Sequence, residues 1–234
     1  MRSEMINKEV DSFDEAVADI SDGAVIMISG FGPPGQPRGL IEALIRKDVR
    51  ELTIINNNAG AGGEEIRNLF ALERVRKVIC SFPRALDSTV FDELYLAKKI
   101  DLELVPQGTL AERIRAGGAG IGGFFTQTGF GTEMAIGKES RIINGKGFIL
   151  ENPLVADFAI IRAFKADPHG NLTYRKTGRN FGPVMATAAK CTIVEVDEIV
   201  PLGSLNPEVI ITPGIYVDRV LSFNRSPLSQ GGAK

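Results

Sequence analysis

Four short runs of aliphatic and β-branched residues, at 25–29, 52–56, 75–80 and 101–105, alternate with segments whose apolar residues recur at helical spacing. Leu40, Ile41, Leu44 and Ile45 carry that spacing first, then Ile66, Leu69 and Phe70, then Val90, Leu94 and Ala97. A parallel neighbour needs a crossover connection, and crossover helices cover the faces of the sheet they join. The first half therefore reads as α/β, a largely parallel sheet covered by helices on both faces. Beyond Gly117 the pattern changes to a Gly-rich passage, followed by strand-like pieces at 147–150, 158–162, 171–174 and 192–196 and a helix over 183–190. This predicts a single domain over 1–225, with a Gly-rich irregular subregion around 118–150 and a flexible tail at 226–234.

With 44 % hydrophobic residues in 234, the chain has enough apolar surface for a sizeable core. Its 27 basic and 29 acidic side chains leave a formal charge of −2, and no basic tract exceeds the Lys98–Lys99 pair. Nucleic acid and anionic membrane are thus not expected partners. No segment approaches the roughly 18 apolar residues of a membrane span, and Met1 to Met5 begins no apolar leader, so the expectation is a cytoplasmic protein. One histidine, His169, and two distant cysteines, Cys80 and Cys191, supply neither a metal site of the usual type nor a disulfide framework. His169 sits among turn formers, and both cysteines read as small apolar fillers.

Glycine is in excess, 26 residues, and fourteen fall in three places: Gly30, Gly32, Gly35 and Gly39; Gly60, Gly62 and Gly63; and seven from Gly117 to Gly131. Each cluster adjoins a strand or a helix end, mostly where an α/β sheet binds ligands, at the carboxyl ends of its strands. Each serves either a tight turn or one site assembled from several loops. Gly30, Gly32 and Gly35 match the G-x-G-x-x-G dinucleotide fingerprint after a strand. Against that reading, Asn56, Asn57 and Asn58 stand where an acidic residue would hold a ribose, and Pro33 and Pro34 remove two backbone donors.

A longer pattern fits better. Residues 22–37 (DGAVIMISGFGPPGQP), 54–60 (IINNNAG), 105–115 (VPQGTLAERIR), 118–125 (GAGIGGFF) and 175–183 (RKTGRNFGP) together resemble the α subunit of the family I CoA-transferases. The usual family pattern has glycine at Ser29. Residues 80–84 (CSFPR) and 179–183 (RNFGP) look more like the 3-oxoadipate branch than the acetoacetate or acetate branches, which are the alternative. The resemblance implies passage of CoA from succinyl-CoA to 3-oxoadipate, in aromatic-compound degradation, through covalent acyl-glutamyl and glutamyl-CoA intermediates. No cofactor is implied, since the CoA thioester is a substrate.

The family's nucleophilic glutamate lies in a Ser-Glu-Asn-Gly motif of the β subunit, and this sequence lacks it. The resemblance thus implies a hetero-oligomer in which this chain supplies one wall of a shared site for acyl-CoA and small carboxylic acids, and no catalytic nucleophile. The one Glu-Asn pair, Glu151 and Asn152, reads as a strand end followed by a turn. By resemblance, Gln107 approaches the acyl group; its other reading is a cap on a helix starting near Thr109. Asn56 and Asn57 either orient a carboxylate or pantetheine, or make local turns. Gly30, Phe31, Gly32 and Gly35 form the loop next to the thioester, and Gly120 belongs to a further wall or a surface loop. Arg84 either grips the distal carboxylate of a dicarboxylic acid or is a solvated surface residue.

Overall fold

The computed structural model describes residues 6–59, 63–84 and 88–225. Gly60, Gly62 and the predicted tail at 226–234 lie outside them. The strands are β1 (Val25–Ile28), β2 (Leu52–Ile55), β3 (Val75–Cys80), β4 (Asp101–Leu104), β5 (Phe124–Thr126), β6 (Ser140–Ile143), β7 (Lys146–Glu151), β8 (Ala156–Ala166), β9 (Leu172–Thr173), β10 (Ala189–Ile199) and β11 (Arg219–Ser222). The α-helices are α1 (Phe13–Ala16), α2 (Arg38–Lys47), α3 (Glu64–Ala71), α4 (Val90–Leu96), α5 (Gln107–Gly118) and α6 (Gly182–Ala186).

The main sheet runs β11-β10-β8-β1-β2-β3-β4, with β9 pairing off β8. Every pairing along that path is parallel, and only the short β9 runs antiparallel. Side chains alternate across a strand, so successive residues feed opposite faces. In β1, Ile26 and Ile28 join a core with Phe13, Leu40, Leu44, Ile66 and Phe91 from α1 to α4. Met27 between them joins a second core with Leu110 and Ile114 of α5 and Met185 of α6. The same division recurs in β3, where Val78 and Cys80 face one core and Ile79 the other. Both faces are therefore covered, as the alternation in the sequence requires.

The chain steps from β1 to β4 in one direction and then returns to lay β8 on the other side of β1. That reversal puts a topological switch point between β1 and β8, where loops leaving the carboxyl ends diverge and open a crevice. β8 also extends past β1: Ile28 pairs with Ile160, and Arg162 to Ala166 continue beyond that level.

Two expectations change. The passage around 118–150 is irregular at 119–123 and 127–139, but it also carries a separate three-stranded antiparallel sheet of β5, β7 and β6. β6 and β7 meet through a two-residue loop in which Asn144 (φ 50°) and Gly145 (φ 75°) are both left-handed, the geometry of an Asn-Gly hairpin turn. The helix expected over 183–190 stops at Ala186, because Ala189 already pairs with Ala156 as the start of β10. Helix propensity in an alanine-rich stretch yields there to the sheet.

Candidate functional site

Three consecutive asparagines leave the end of β2, and all three are buried. Asn56 turns the chain upon itself: its Nδ2 donates to the Ile28 carbonyl at 2.7 Å and its Oδ1 accepts from the Asn58 amide at 2.7 Å. Asn57 Oδ1 accepts from Ser81 Oγ at 2.7 Å and from Gln107 Nε2 at 2.9 Å. Asn58 Oδ1 accepts from Asn57 Nδ2 at 3.0 Å and from the Gly32 amide at 3.3 Å, and Asn58 Nδ2 donates to the Phe82 carbonyl at 3.3 Å. The loops after β1, β2 and β3 and the start of α5 after β4 are thus tied together by amide side chains. Buried amides placed this way are satisfied, so the cluster holds one arrangement.

Gln107 opens α5 directly, with Pro106 before it and no side-chain cap, so its predicted alternative as a cap near Thr109 is not what it does. Its side chain is exposed, and the bond to Asn57 uses one of its two N–H groups. Among the described residues its side chain makes no other hydrogen bond.

The loop after β1 rests on two side chains. Ser29, at the position where the family pattern has glycine, is fully buried and its Oγ donates to the Gly35 carbonyl at 2.6 Å while accepting from the Arg162 amide at 3.0 Å. The hydroxyl closes the loop and ties it to β8, and Ser29 does not take a positive φ. Asn180 clamps the far side: Oδ1 accepts from the Gly30 amide at 3.1 Å, and Nδ2 donates to the Pro34 carbonyl at 2.9 Å. Gly35 has φ 80°, and a Cβ there would run into Asn180 and lie 2.6 Å from the Gly178 carbonyl oxygen. Phe31 remains 52 % exposed and Phe82 58 %, leaving two aromatic rings in solvent beside the asparagines.

The sequence-derived residues divide accordingly. Gly30, Gly32, Gly35, Asn56, Asn57 and Gln107 belong to this connected set of loops, with Phe31 carried on the β1 loop. Gly120 does not: it lies beyond the far end of α5, whose twelve residues separate it from Gln107 by roughly 18 Å. Arg84 is 77 % exposed just past β3, with Nε 3.5 Å from Asp92 Oδ1. Glu151 ends β7 at 2 % exposure, bonded by Lys138 Nζ at 2.5 Å with Arg113 nearby, and is a structural carboxylate. Cys80 and Cys191 are an apolar filler and a half-buried strand residue; burial raises the Cys80 thiol to about 12 and the Cys191 thiol to about 11. His169 lies in a turn held by Asp167, whose Oδ1 accepts from its amide at 3.0 Å. The sequence reading does not single out Asn58, Ser81 or Asn180 as site residues, although all three stand within the segments that carry the family resemblance.

A doubly covered α/β sheet whose strand-end loops converge on amides and glycines at a switch point is the architecture of a ligand-handling enzyme rather than a scaffold. The chain belongs to the Coenzyme A transferase family, whose pattern matches residues 10–222. It is 57 % identical over 225 residues to the α subunit of 3-oxoadipate CoA-transferase of Pseudomonas putida, covering 96 % of this chain and 97 % of that one. It is 48 % identical over 208 residues to the α subunit of succinyl-CoA:3-ketoacid coenzyme A transferase of Xanthomonas campestris pv. campestris, covering 89 % and 85 %. In fold it is similar to a crystal structure of an acyl-CoA transferase of Escherichia coli O157:H7 in a thioester complex with CoA, with a TM-score of 0.81 at 24 % identity. That match covers 97 % of this chain and 49 % of the other, so the chain spans about half of that protein's length.

Proposed function

We propose that this chain is the α subunit of a CoA-transferase built from two kinds of subunit, and that the pair passes CoA from succinyl-CoA to 3-oxoadipate. The observation that carries the reading is the Gln107–Asn57–Ser81 cluster, which among the described residues gathers amides and a hydroxyl but no carboxylate. Such a cluster orients and polarises an acyl group and leaves the nucleophile to come from elsewhere. In this reading the thioester carbonyl is attacked by a glutamate of the β subunit. CoA leaves as the thiolate and an acyl-glutamyl anhydride forms. The thiolate then attacks the anhydride, expelling the carboxylate and leaving a glutamyl-CoA thioester, which the second acid reverses by the same steps. The mixed anhydride retains the activation of the thioester, so two feasible half-reactions replace one difficult transfer and no further cofactor is called for. Water would hydrolyse either intermediate, which is the reason for a site closed between two subunits.

Gln107 would donate to the oxygen on which charge develops, held in aim by Asn57. Phe31 and Phe82 would be covered when the β subunit docks. Arg84, exposed beyond β3 and paired there with Asp92, would exchange that partner for the distal carboxylate that both succinyl and 3-oxoadipyl groups keep. The reaction would take place in the cytoplasm, consistent with the finding that no helix among the described residues is long and apolar enough to cross a membrane.

The test is CoA transfer from succinyl-CoA to 3-oxoadipate by this chain alone and by this chain paired with the β subunit. Transfer only by the pair supports the reading, and transfer by the isolated chain overturns it. A panel with acetoacetate and acetate as acceptors separates the 3-oxoadipate assignment from the 3-ketoacid activity for which the Xanthomonas relative is named. The same panel with Arg84→Ala tests the carboxylate contact: an unchanged preference for dicarboxylic acceptors would remove Arg84 from the site.

A further inference from the structure

We infer that β6 is a docking edge for a second copy of this chain. Two β6 strands pair antiparallel about a two-fold axis that passes between their Ser140 residues, joining the two small sheets into one. Such a contact lies outside the transferase reading and does not depend on it.

β6 ends the small sheet β5-β7-β6, and no other strand of the described residues pairs with its outer edge. All four of its residues are exposed. Bonded and non-bonded residue pairs alternate along an antiparallel ladder. The Glu139 carbonyl accepts from the Leu150 amide at 2.8 Å, so in the observed register residues 139, 141 and 143 bond to β7. The N–H and C=O groups of Ser140 and Ile142 therefore point to the open side. Folded proteins commonly blunt such an edge with a proline, a bulge or charges. β6 has no proline and its register with β7 runs without a break. Ile142 on it is 69 % exposed, and the Phe130 ring, also exposed, lies over the Gly147 that pairs with Ile142. An open ladder edge beside apolar side chains is a template for another strand.

Charge chooses the partner and the register. Glu139 and Arg141 stand two positions apart on one face, both exposed, with Arg141 Nε 2.7 Å from Glu139 Oε1. Laid antiparallel on itself with Ser140 opposite Ser140, the strand sets Glu139 of each copy opposite Arg141 of the other. The guanidinium has donors beyond Nε for a second carboxylate, so the charges alternate in sign around the axis. The same register matches the open backbone groups. Ser140 meets Ser140 of the second copy, and each Ile142 amide meets a Lys138 carbonyl, the Lys138 amide already donating to the Ala135 carbonyl at 3.1 Å. A slip of one residue sets open groups against groups already bonded to β7. A slip of two sets Glu139 against Glu139 or Arg141 against Arg141, and like charges directly opposite are destabilising. A strand that complements itself in one register is what a two-fold contact between identical chains requires. The small sheet follows the far end of α5, roughly 18 Å along the helix from Gln107, so a β subunit docked over Gln107 does not call on this edge.

The test is sedimentation of the full chain, alone and paired with its β subunit, over a wide range of concentration, with cysteine cross-linking to read the register. The unmodified chain is expected to associate through two copies. Arg141→Glu, which gathers like charges at the axis, should weaken that association by about tenfold or more. Glu139→Arg combined with Arg141→Glu exchanges the charges and should restore it. Mixing a Glu139→Cys chain with an Arg141→Cys chain brings the two thiols opposite one another, about 4.5 Å apart at Cα, while the other Glu139–Arg141 pair of that dimer stays intact. Mild oxidation should link the two variants to each other and neither to itself, since like positions lie about 7–8 Å apart, beyond the usual reach of a disulfide. Single copies at every concentration, association that Arg141→Glu leaves unchanged, or linking without preference for the mixed pair would each overturn the contact. Copies that part when the β subunit binds would give the edge to the β subunit and overturn it as well. The chain alone decides the contact whether or not the pair transfers CoA.

Discussion

Gln107 Nε2 donates to Asn57 Oδ1 at 2.9 Å, and this bond joins the first turn of α5 to the loop after β2. The dependence runs one way. Asn57 Oδ1 also accepts from Ser81 Oγ, and Asn57 Nδ2 is bonded to Asn58, so Asn57 keeps its place without Gln107. Gln107 has no other side-chain partner among the described residues and takes its aim from Asn57. Gln107→Ala should therefore cost under about 1 kcal/mol of stability, the net worth of one hydrogen bond of an exposed side chain. Its effect on kcat for CoA transfer should be far larger, on the order of 100-fold, as for loss of a donor to a developing oxyanion. Urea unfolding and steady-state kinetics of the paired enzyme measure the two separately, and full kcat in the variant would remove the amide from the acyl group.

Gly35 and Gly32 lie in one loop and both have positive φ, 80° and 61°, yet their surroundings differ. A Cβ at Gly32 meets nothing within 4 Å, whereas one at Gly35 collides with Asn180 and with the Gly178 backbone. Gly32→Ala should then cost about 1 kcal/mol, the left-handed penalty alone. Gly35→Ala adds a backbone clash and should cost about 2–3 kcal/mol, with a further loss of activity as the loop moves off Asn180. Equal unfolding midpoints for the two variants would contradict the clamp.

Much of this was legible in the sequence, and the reasons are local. The parallel half was readable because apolar residues such as Ile26, Met27 and Ile28 form short runs bounded by glycine, and because the helices between them show one buried stripe. The convergence of Asn56, Asn57 and Gln107 followed from their places after successive strands, since strand ends of one sheet share an edge. Gly120 stands apart from that cluster because glycine enrichment reports turns wherever they fall, here just past the far end of α5. The small antiparallel sheet had one overlooked signal, Asn144-Gly145, the pair that a two-residue hairpin loop prefers. Glu195 had none: its partners Gly39 and Leu40 are more than 150 positions away, and no periodicity announces a carboxylate that caps a helix across a sheet.

The cysteines give a chemical test of burial. Cys80 is fully buried at the end of β3, and loss of hydration for the thiolate pushes its pKa to about 12; Cys191, half-buried, rises to about 11. The thiolate is the reactive form, so at pH 8 both should resist disulfide reagents in the folded protein. Two equivalents should react promptly in urea and neither promptly in buffer. Fast labelling of Cys80 under native conditions would mean that β3 opens locally.

Glu195 makes stability depend on pH in an unusual direction for a carboxylate. It is fully buried, and it accepts from the amides of Gly39 at 2.8 Å and Leu40 at 3.2 Å, capping α2 where Pro37 offers no side-chain bond. Burial pushes its carboxyl from 4.5 up to about 7, against the pull of Arg162 and the two amides. The folded state thus holds this proton more tightly than the unfolded chain. Its favourable contribution is fully present below about pH 4.5 and is lost as pH rises to about 7, a change of at most about 3 kcal/mol. Asp19 and Asp157 shift the other way, held low by Arg219 and by the Val25 amide, so their contributions change only at lower pH. Between pH 5 and 8 the slope should therefore belong largely to Glu195. Glu195→Gln keeps an acceptor oxygen for the α2 amides and cannot ionise, so its unfolding free energy should vary less with pH than that of the unmodified protein. The unmodified protein should gain relative to the variant as pH falls from 8 to 5, and a difference constant across that range would show that Glu195 titrates at its ordinary value.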